Sequence, residues 1–190
     1  MLVLDNYDSF TWNLVQALEA EGARCVVYRS DAVDVAAICA LGATRIVLSP
    51  GPFGPAQTGV CADVVRALGC KVPILGVCLG MQVIAMVAGA AVRPCGHPVH
   101  GKAFEIFHEG RGVLAGLPSP FAGARYHSLQ VDPETVPEAL EITARTADGT
   151  IMGCRLAGSL AEGVMFHPES FLTEHGPDVL RNFLRDADVV

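Results

Sequence analysis

The chain has 190 residues, of which 51% are hydrophobic and 17% charged, with 20 glycines and 12 prolines. This length suits one globular domain, and the composition excludes both a disordered protein and a coiled coil. Twenty acidic side chains against 13 basic ones give a formal net charge of −7, and no basic cluster offsets it, which argues against a nucleic-acid partner.

Three features of the sequence bear on the cellular localisation of the protein: its N-terminal segment, its apolar stretches and its cysteines. Residues 1–5 lack a basic region and already contain an acid, so they do not resemble a secretory signal. The most apolar stretch, residues 76–92, is interrupted by Gly80, Gln82 and Gly89, which predicts buried core and no membrane partner. The seven cysteines include no Cys-x-x-Cys pair, which argues against a disulfide framework. We therefore expect a cytoplasmic protein.

Apolar runs alternate with helical periodicity in the first half of the chain. Residues 2–5 predict a strand, and apolar residues at helical spacing from 10 to 18 predict a helix that ends near Gly22. Such alternation is typical of parallel strands covered by helices. Further strands are predicted at 25–28, 45–48 and 72–77, and further helices at 35–41, 60–68 and 81–87.

The second half has a different pattern of short strands separated by turns. Strands are predicted at 103–107, 140–146, 150–155 and 163–166, and a last helix at 177–185. We find no internal repeat, low-complexity tract or linker, so we expect a single domain over residues 1–190. The predicted fold is α/β, a three-layer αβα domain with a mixed, mostly parallel central sheet.

One strand–turn–helix segment carries a candidate nucleophile. The sequence Gly-Val-Cys-Leu-Gly at 76–80 joins a predicted strand to a predicted helix, which is the arrangement of a nucleophile elbow. We expect the turn to hold Cys78 in a strained conformation, and the helix N-terminus to favour its thiolate. Gln82 lies on the same helix face and is either a substrate contact or a solvated residue. A buried structural cysteine is the alternative for Cys78.

A nucleophilic thiolate needs a base and a group that orients the base. Among six histidines, His167 is the best candidate because it ends an apolar run and precedes Pro168, which favours extended geometry. In an extended segment Glu169 would lie on the same side as the imidazole. We therefore expect His167 and Glu169 to serve as base and orienting group, an ordinary polar strand end being the alternative.

Two loops rich in proline and glycine allow competing interpretations. Cys95, His97 and His100 are of metal-ligating types, but no second such group accompanies them, so we expect neither a metal nor a cofactor. The loop at 49–55 is too rigid and apolar for a phosphate loop. Its Gly51 would let a ligand approach backbone amides closely, and a plain turn is the alternative.

Taken together, these motifs resemble the class I, triad-type glutamine amidotransferases, and among them the glutaminase components of anthranilate synthase and aminodeoxychorismate synthase. The resemblance runs from residue 2 to about 184 and implies a flavodoxin-like form of the αβα fold. It rests on Asp-Asn-Tyr-Asp-Ser-Phe-Thr at 5–11, Ser-Pro-Gly-Pro at 49–52, Gly-Val-Cys-Leu-Gly-Met-Gln at 76–82, His-Gly-Lys at 100–102, Tyr-His-Ser-Leu at 126–129, Phe-His-Pro-Glu-Ser at 166–170 and Leu-Thr-Glu-His-Gly at 172–176.

The resemblance implies a catalytic triad that hydrolyses L-glutamine. Cys78 would attack the side-chain amide to form a thioester, His167 would move protons, and Glu169 would orient His167. The backbone amides of Leu79 and Gly51 would form the oxyanion hole. The positions corresponding to glutamine-contacting residues are Gly51, Pro52, Phe53, Leu79, Gln82, Ser128 and Leu129.

The resemblance also implies a partner, because the ammonia must reach an acceptor before it meets water. We expect a chorismate-binding synthase on a separate chain, since the 190 residues leave no room for a chorismate-binding domain. By analogy with the family, that partner would contact residues 6–11 and 100–102.

Two departures from the family pattern leave other functions open. Phe53 stands where a second glycine is usual, and a positive φ there would cost about 1–2 kcal/mol and disturb the substrate loop. Trp12 replaces the usual tyrosine but keeps a large aromatic ring. A catalytically weak docking subunit is therefore one alternative, and a cysteine hydrolase of γ-glutamyl conjugates on the same scaffold is another.

Overall fold

The structure, a computed structural model, describes residues 1–96 and 98–185. Its elements in chain order are β1 (Leu2–Asp5), α1 (Thr11–Ala20), β2 (Val26–Arg29), α2 (Val35–Ala40), β3 (Ile46–Leu48), α3 (Cys61–Leu68), β4 (Ile74–Val77), α4 (Leu79–Ala88), β5 (Val92–Pro94), β6 (Lys102–His108), β7 (Phe121–Arg125), β8 (Leu129–Val131), β9 (Leu140–Arg145), β10 (Ile151–Leu156), β11 (Ala161–Val164) and α5 (Gly176–Leu184).

Nine strands form one mixed sheet in the order β2-β1-β3-β4-β11-β10-β9-β6-β7. The first five strands of that order are parallel, and the remaining pairs are antiparallel. Helix α1 packs against α5, and α3 packs against both α2 and α4. The predicted α/β fold with a mixed sheet is confirmed.

The parallel half of the sheet forms the centre of the core. Every residue of β1, β3 and β4 is buried, because helices cover both faces of a parallel sheet. β2 lies at the edge of the sheet and is largely exposed. The carboxyl ends of these parallel strands meet at one edge of the sheet, where ligands bind in such folds.

Three strands near that edge were not predicted from the sequence. β7 reads Phe-Ala-Gly-Ala-Arg and has too many small residues to show alternation. β5 and β8 pair only with each other as a short antiparallel ribbon, in which Pro94 faces Leu129. A three-residue strand that ends in proline leaves no periodic signal in the sequence.

Within the described ranges, no helix is both long and apolar enough to cross a membrane. The longest apolar helix, α4, is a core helix whose residues 79–85 are all buried. The prediction that the apolar stretch at 76–92 is protein interior is consistent with this packing.

Candidate functional site

Cys78 occupies the sharp turn between β4 and α4. Its backbone has φ 53° and ψ −103°, and helix α4 begins at the next residue, Leu79. In the described part of the chain only Tyr7 shares a positive φ among non-glycine residues. Such a conformation costs about 1–3 kcal/mol and persists only where the surroundings enforce it. The strained elbow therefore has the backbone geometry that the sequence predicted.

The two glycines that flank the elbow are required by close packing. A Cβ on Gly80 would overlap the carbonyl oxygen of Leu48 in β3 and lie 2.8 Å from the Leu48 Cβ. A Cβ on Gly76 would overlap the Gly80 carbonyl group and lie 2.6 Å from the nitrogen of Met81. Only glycine at both positions lets the turn fold back against the sheet, which leaves Cys78 at its tip.

The His167 imidazole lies beside the carboxylate of Glu169. Nδ1 of His167 and Oε1 of Glu169 are 2.6 Å apart, and the two side chains are 3% and 1% exposed. The expected reason for this contact was wrong: strand β11 ends at Val164, and Pro168 and Glu169 are the central residues of a turn. The Ser170 N–H closes that turn onto the His167 carbonyl at 3.2 Å.

The protonation of His167 is set by two opposing effects. Burial by itself lowers the pKa of His167, but interactions with Cys78 and Glu169 outweigh burial and raise the pKa to about 10. The Nε2 atom is buried and makes no hydrogen bond of standard geometry with a described residue. Its interaction with Cys78 therefore lacks standard hydrogen-bond geometry, as is common for catalytic groups without a bound ligand. These interactions favour the imidazolium form of His167.

A cavity of about 260 Å³ opens in front of Cys78. This volume lies just below the range for drug-sized ligands and suits a metabolite as small as an amino acid. All the residues predicted to contact glutamine line it together with Cys78: Gly51, Pro52, Phe53, Leu79, Gln82, Ser128 and Leu129. His167 and Glu169 do not line this cavity.

Five further lining residues were not predicted as substrate contacts: Pro98, Val99, His100, Tyr126 and His127. Cys95, Val99 and Gly101 each donate a backbone hydrogen bond to the segment at 125–128, for example Val99 N–H to the His127 carbonyl at 3.1 Å. The sequence signal was present, since His-Gly-Lys and Tyr-His-Ser-Leu were both recognised as family segments. What was missing was the pairing that brings the two segments to one wall of the cavity.

Phe53 does not have the strain that its replacement of glycine suggested. Its φ is not in the positive range, which in the described chain contains only Tyr7 and Cys78 among residues other than glycine. The ring is 45% exposed and lines both the site cavity and a neighbouring pocket beside Asn6. The predicted cost of about 1–2 kcal/mol for a positive φ at Phe53 therefore does not apply, and there is no longer a reason to expect a disturbed substrate loop.

Gln82 is buried in the cavity wall, so its interpretation as a solvated residue is wrong. Only 2% of it is exposed, and its Nε2 donates to the Leu129 carbonyl at 3.3 Å. Its Oε1 is buried without a hydrogen-bond partner among the described residues. A buried amide oxygen in this state is an acceptor ready for a ligand donor, because leaving it unpaired costs about 1–3 kcal/mol.

His127 is a structural histidine beside the cavity. Its Nδ1 lies 2.8 Å from the Leu129 carbonyl, and its Nε2 accepts a hydrogen bond from Arg125 Nε at 3.0 Å. Burial and the neighbouring Arg125 guanidinium lower the pKa of His127 to about 4. The imidazole is therefore neutral at pH 7, which lets it hold Leu129 in place without competing with His167 as a base.

The candidate metal ligands do not form a cluster in the described residues. No group of three or more metal-ligating side chains occurs within 1–96 and 98–185, and His97 lies outside those ranges. Cys95 is buried with its Sγ 3.7 Å from the His127 carbonyl. Its observed contact is with the cavity wall.

Comparison with known proteins identifies the family. The chain is 48% identical over 184 residues to aminodeoxychorismate synthase component 2 of Klebsiella aerogenes, covering 97% of this chain and 98% of that protein. It is 49% identical to anthranilate synthase component 2 of Pseudomonas aeruginosa, covering 97% and 94% of the two chains. A crystal structure from Thermoplasma acidophilum, assigned to a GMP synthase, superimposes with a TM-score of 0.84 at 25% identity, over 96% of this chain and 90% of that one. The model of the class-I glutamine amidotransferases matches residues 2–187, and the chain therefore belongs to that family.

Proposed function

We propose that the chain is the glutaminase subunit of a chorismate-aminating synthase, and that it acts as one amidotransferase domain. In this role it hydrolyses L-glutamine to glutamate and passes the ammonia to the synthase chain. The observation that carries this proposal is the position of Cys78, strained at its elbow, coupled to the His167–Glu169 pair and open to a cavity of amino-acid size.

In the proposed first step, the Cys78 thiolate attacks the side-chain carbonyl carbon of glutamine. The carbonyl oxygen becomes an oxyanion that accepts hydrogen bonds from the backbone N–H groups of Leu79 and Gly51. Leu79 is the first residue of α4, so its N–H is one of the donors that a helix leaves free. A Cβ on Gly51 would lie 2.6 Å from Leu79 Cδ2, so glycine allows the two segments this close.

The second step releases ammonia and then glutamate. Protonated His167 donates its proton to the leaving nitrogen, the C–N bond breaks, and a thioester remains on Cys78. Neutral His167 then takes a proton from water as the water oxygen attacks the thioester. The C–S bond breaks, which returns the Cys78 thiolate and protonated His167, and the new carboxylic acid loses its proton to solvent to give glutamate. Glu169 holds Nδ1 of His167, as its 2.6 Å contact indicates.

Substrate selection would come from the cavity wall. The unpaired Oε1 of Gln82 is suited to accept a hydrogen bond from an amino group, and the exposed Ser128 offers a hydroxyl. Pro52, Phe53 and Leu129 supply the apolar part of the lining. We assign these residues, with the Gly51 and Leu79 amides, to glutamine binding.

The synthase partner would dock over the same edge of the sheet. The relatives' names, component 2 of two chorismate-using synthases, support a two-chain complex, which we place in the cytoplasm. Trp12 is 58% exposed and Phe171 is 93% exposed, and they flank the loops that carry Phe10 and His167. Exposed aromatic rings of this kind are frequent anchors in protein interfaces. They extend the expected partner surface at 6–11 and 100–102.

Glutamate release in the presence and absence of the synthase chain tests this proposal. We expect Cys78→Ser to abolish release while the complex still assembles. Wild-type turnover in that variant would overturn the assignment of the nucleophile. Alkylation of Cys78 by a glutamine-like electrophile separates an active subunit from a silent docking subunit, which would not react.

The substrate and the product need separate measurements. If the protein hydrolysed γ-glutamyl conjugates in preference to free glutamine, the proposed glutaminase function would be wrong and a conjugate hydrolase would take its place. Co-purification identifies the synthase chain, and product analysis with chorismate and glutamine then distinguishes anthranilate from aminodeoxychorismate, and hence tryptophan from folate biosynthesis.

A further inference from the structure

The loop between β1 and α1 is ordered by its own side chains. Oδ1 of Asp5 accepts hydrogen bonds from the Tyr7 N–H at 2.8 Å and the Thr11 hydroxyl at 2.9 Å, and Arg29 pairs with Oδ2 at 2.6 Å. Tyr7 has φ 64°, which turns the chain sharply before Asp8. The proposed chemical steps on glutamine give none of these residues a task.

Asp8 uses its side chain to fix the next part of this loop. Its Oδ2 accepts a hydrogen bond from the Phe10 N–H at 2.7 Å, and its carbonyl accepts one from the Thr11 N–H at 3.4 Å. Phe10 is the residue that precedes helix α1 and has no capping hydrogen bond from its own side chain. The position of the Phe10 ring therefore depends on Asp8.

The Phe10 ring packs against the imidazole of His167, the candidate base. Its centroid lies 6.1 Å from that of His167, edge to face at 78°, and 5.3 Å from that of Tyr126. Tyr126 in turn lies 5.0 Å from His167, and its hydroxyl is 3.3 Å from Oγ of Ser170, next to the turn that carries Glu169. Two rings thus limit the movement of an imidazole whose Nδ1 is held by Glu169.

We propose that Asp8 and Phe10 are positioning residues, which hold the His167 imidazole in the plane and at the distance that Cys78 requires. The inference rests on the proposed function, because His167 matters here as the proton carrier. Phe10 acts by contact with the ring, and Asp8 acts through Phe10 and through its charge. Asp8 is close enough to both His167 and Glu169 to interact with them electrostatically.

The charge of Asp8 gives the inference its own signature. Among the described residues, Cys78, Glu169, His127 and Asp8 interact electrostatically with His167, and the phenol ring of Tyr126 packs against it. Burial raises the pKa of Asp8, as do the nearby Glu169 and Asp5 carboxylates, whereas the Phe10 N–H and His167 lower it. Removing a negative charge beside a coupled pair of ionisable groups makes the pair lose its protons at lower pH.

Four variants and a control test the inference in the complex with the synthase chain. Phe10→Leu removes the ring and keeps apolar bulk, Phe10→Tyr restores a ring, Asp8→Ala removes the acceptor, and Asp8→Asn keeps an acceptor without charge. The control is Asp34→Ala, since Asp34 accepts the Ala37 N–H at 2.8 Å at the start of α2, away from the site.

Two readouts are needed. One is kcat and KM for glutamine. The other is the pH dependence of alkylation of Cys78 by iodoacetamide, followed by peptide mass spectrometry with the exposed Cys39 and Cys70 as internal references. The second readout does not depend on glutamine turnover.

We expect Phe10→Leu and Asp8→Ala to lower kcat by about 10²-fold with little change in KM, because small misplacements of a catalytic group have effects of this size. Phe10→Tyr should restore kcat, and Asp34→Ala should leave it unchanged. Asp8→Asn should shift the Cys78 alkylation profile to lower pH by about half a unit, with Cys39 and Cys70 unmoved.

Wild-type kcat in Phe10→Leu, or an Asp8→Asn alkylation profile that superimposes on the wild type, would overturn the inference. A different result would overturn the proposed function itself: Cys78 in the wild type titrating like Cys39 and Cys70. Circular dichroism of each variant separates a misplaced His167 imidazole from an unfolded protein. The two conservative variants, Phe10→Tyr and Asp8→Asn, keep the test informative if Phe10→Leu does not fold.

Discussion

Replacing Thr173 with valine should loosen the turn that carries His167. The Thr173 hydroxyl donates to the His167 carbonyl at 2.6 Å and accepts the Ala124 N–H at 3.0 Å. Ala124 belongs to β7, and its carbonyl accepts the His167 N–H at 3.0 Å. One buried hydroxyl therefore joins the turn to the antiparallel half of the sheet.

The size of the effect follows from which groups lose their partner. The Ala124 N–H would be buried without an acceptor, which costs about 1–3 kcal/mol of stability. The His167 carbonyl would keep its hydrogen bond from Ser170, so losing the bond from Thr173 costs only about 0.5–1.5 kcal/mol more. Valine has nearly the shape of threonine, so no cavity adds to this. We expect the free energy of unfolding to fall by about 2–4 kcal/mol.

Urea denaturation followed by circular dichroism measures this change. Thr173→Ser keeps the hydroxyl and serves as the matched control, which should recover most of the lost stability. Glutamate release should fall more steeply in the valine variant than in the serine variant, because the turn positions His167. A valine variant within about 0.5 kcal/mol of the wild type would refute the reasoning, since that is the range of a neutral surface substitution.

Three further predictions concern the elbow, the cavity wall and the partner surface. Gly80→Ala should destabilise the fold by about 1–3 kcal/mol in urea denaturation, because the new Cβ would meet the backbone of β3. The control Gly96→Ala has open space around its Cβ and should be nearly neutral, so equal effects of the two variants would contradict the prediction. The pKa of His127 is lowered from 6.5 to about 4, so the free energy of unfolding should fall by about 3 kcal/mol as the pH falls from 6.5 to 4, because the folded state keeps the imidazole neutral. His127→Gln should flatten that part of the pH–stability curve, and an unchanged curve would exclude His127 as its cause. Phe171→Ala should weaken binding of the synthase chain by about 2 kcal/mol in calorimetry without loss of stability, whereas alanine at the half-exposed Leu160 should not, and equal affinities would remove Phe171 from the interface.

Local patterns were sufficient where one segment contains the whole signal. The Gly-x-Cys-x-Gly spacing at 76–80 predicted the elbow, because each glycine is needed within five residues of the other. The short apolar runs predicted the buried strands β1, β3 and β4 to within two residues, because strands covered on both faces contain almost no polar positions.

The pairing of His167 with Glu169 shows how a correct contact can have an incorrect reason. Two-residue spacing would bring the side chains together in a strand, but they meet instead across a turn that starts at His167. That turn depends on Thr173 and on Ala124 of β7, which lies more than 40 residues earlier in the chain. No local pattern contains that information.

Phe53 is the reverse case, in which a local rule predicted strain that is absent. The rule assumed that a family glycine is present for its conformation, yet the backbone at this position needs no positive φ. Gly54, the next residue, also has a negative φ, −85°, so the whole segment follows an ordinary path.

The amino-acid sequence by itself indicated the family, the αβα class and the candidate residues Cys78, His167 and Glu169, since motifs and periodicity are local properties of a chain. Only the tertiary structure decided that Gln82 has a buried, unpaired acceptor, that His127 is neutral, and that Phe10 and Tyr126 pack against His167. The physical reason is that burial, ring packing and electrostatic coupling depend on distances between segments far apart in sequence, and those distances exist only after the chain has folded.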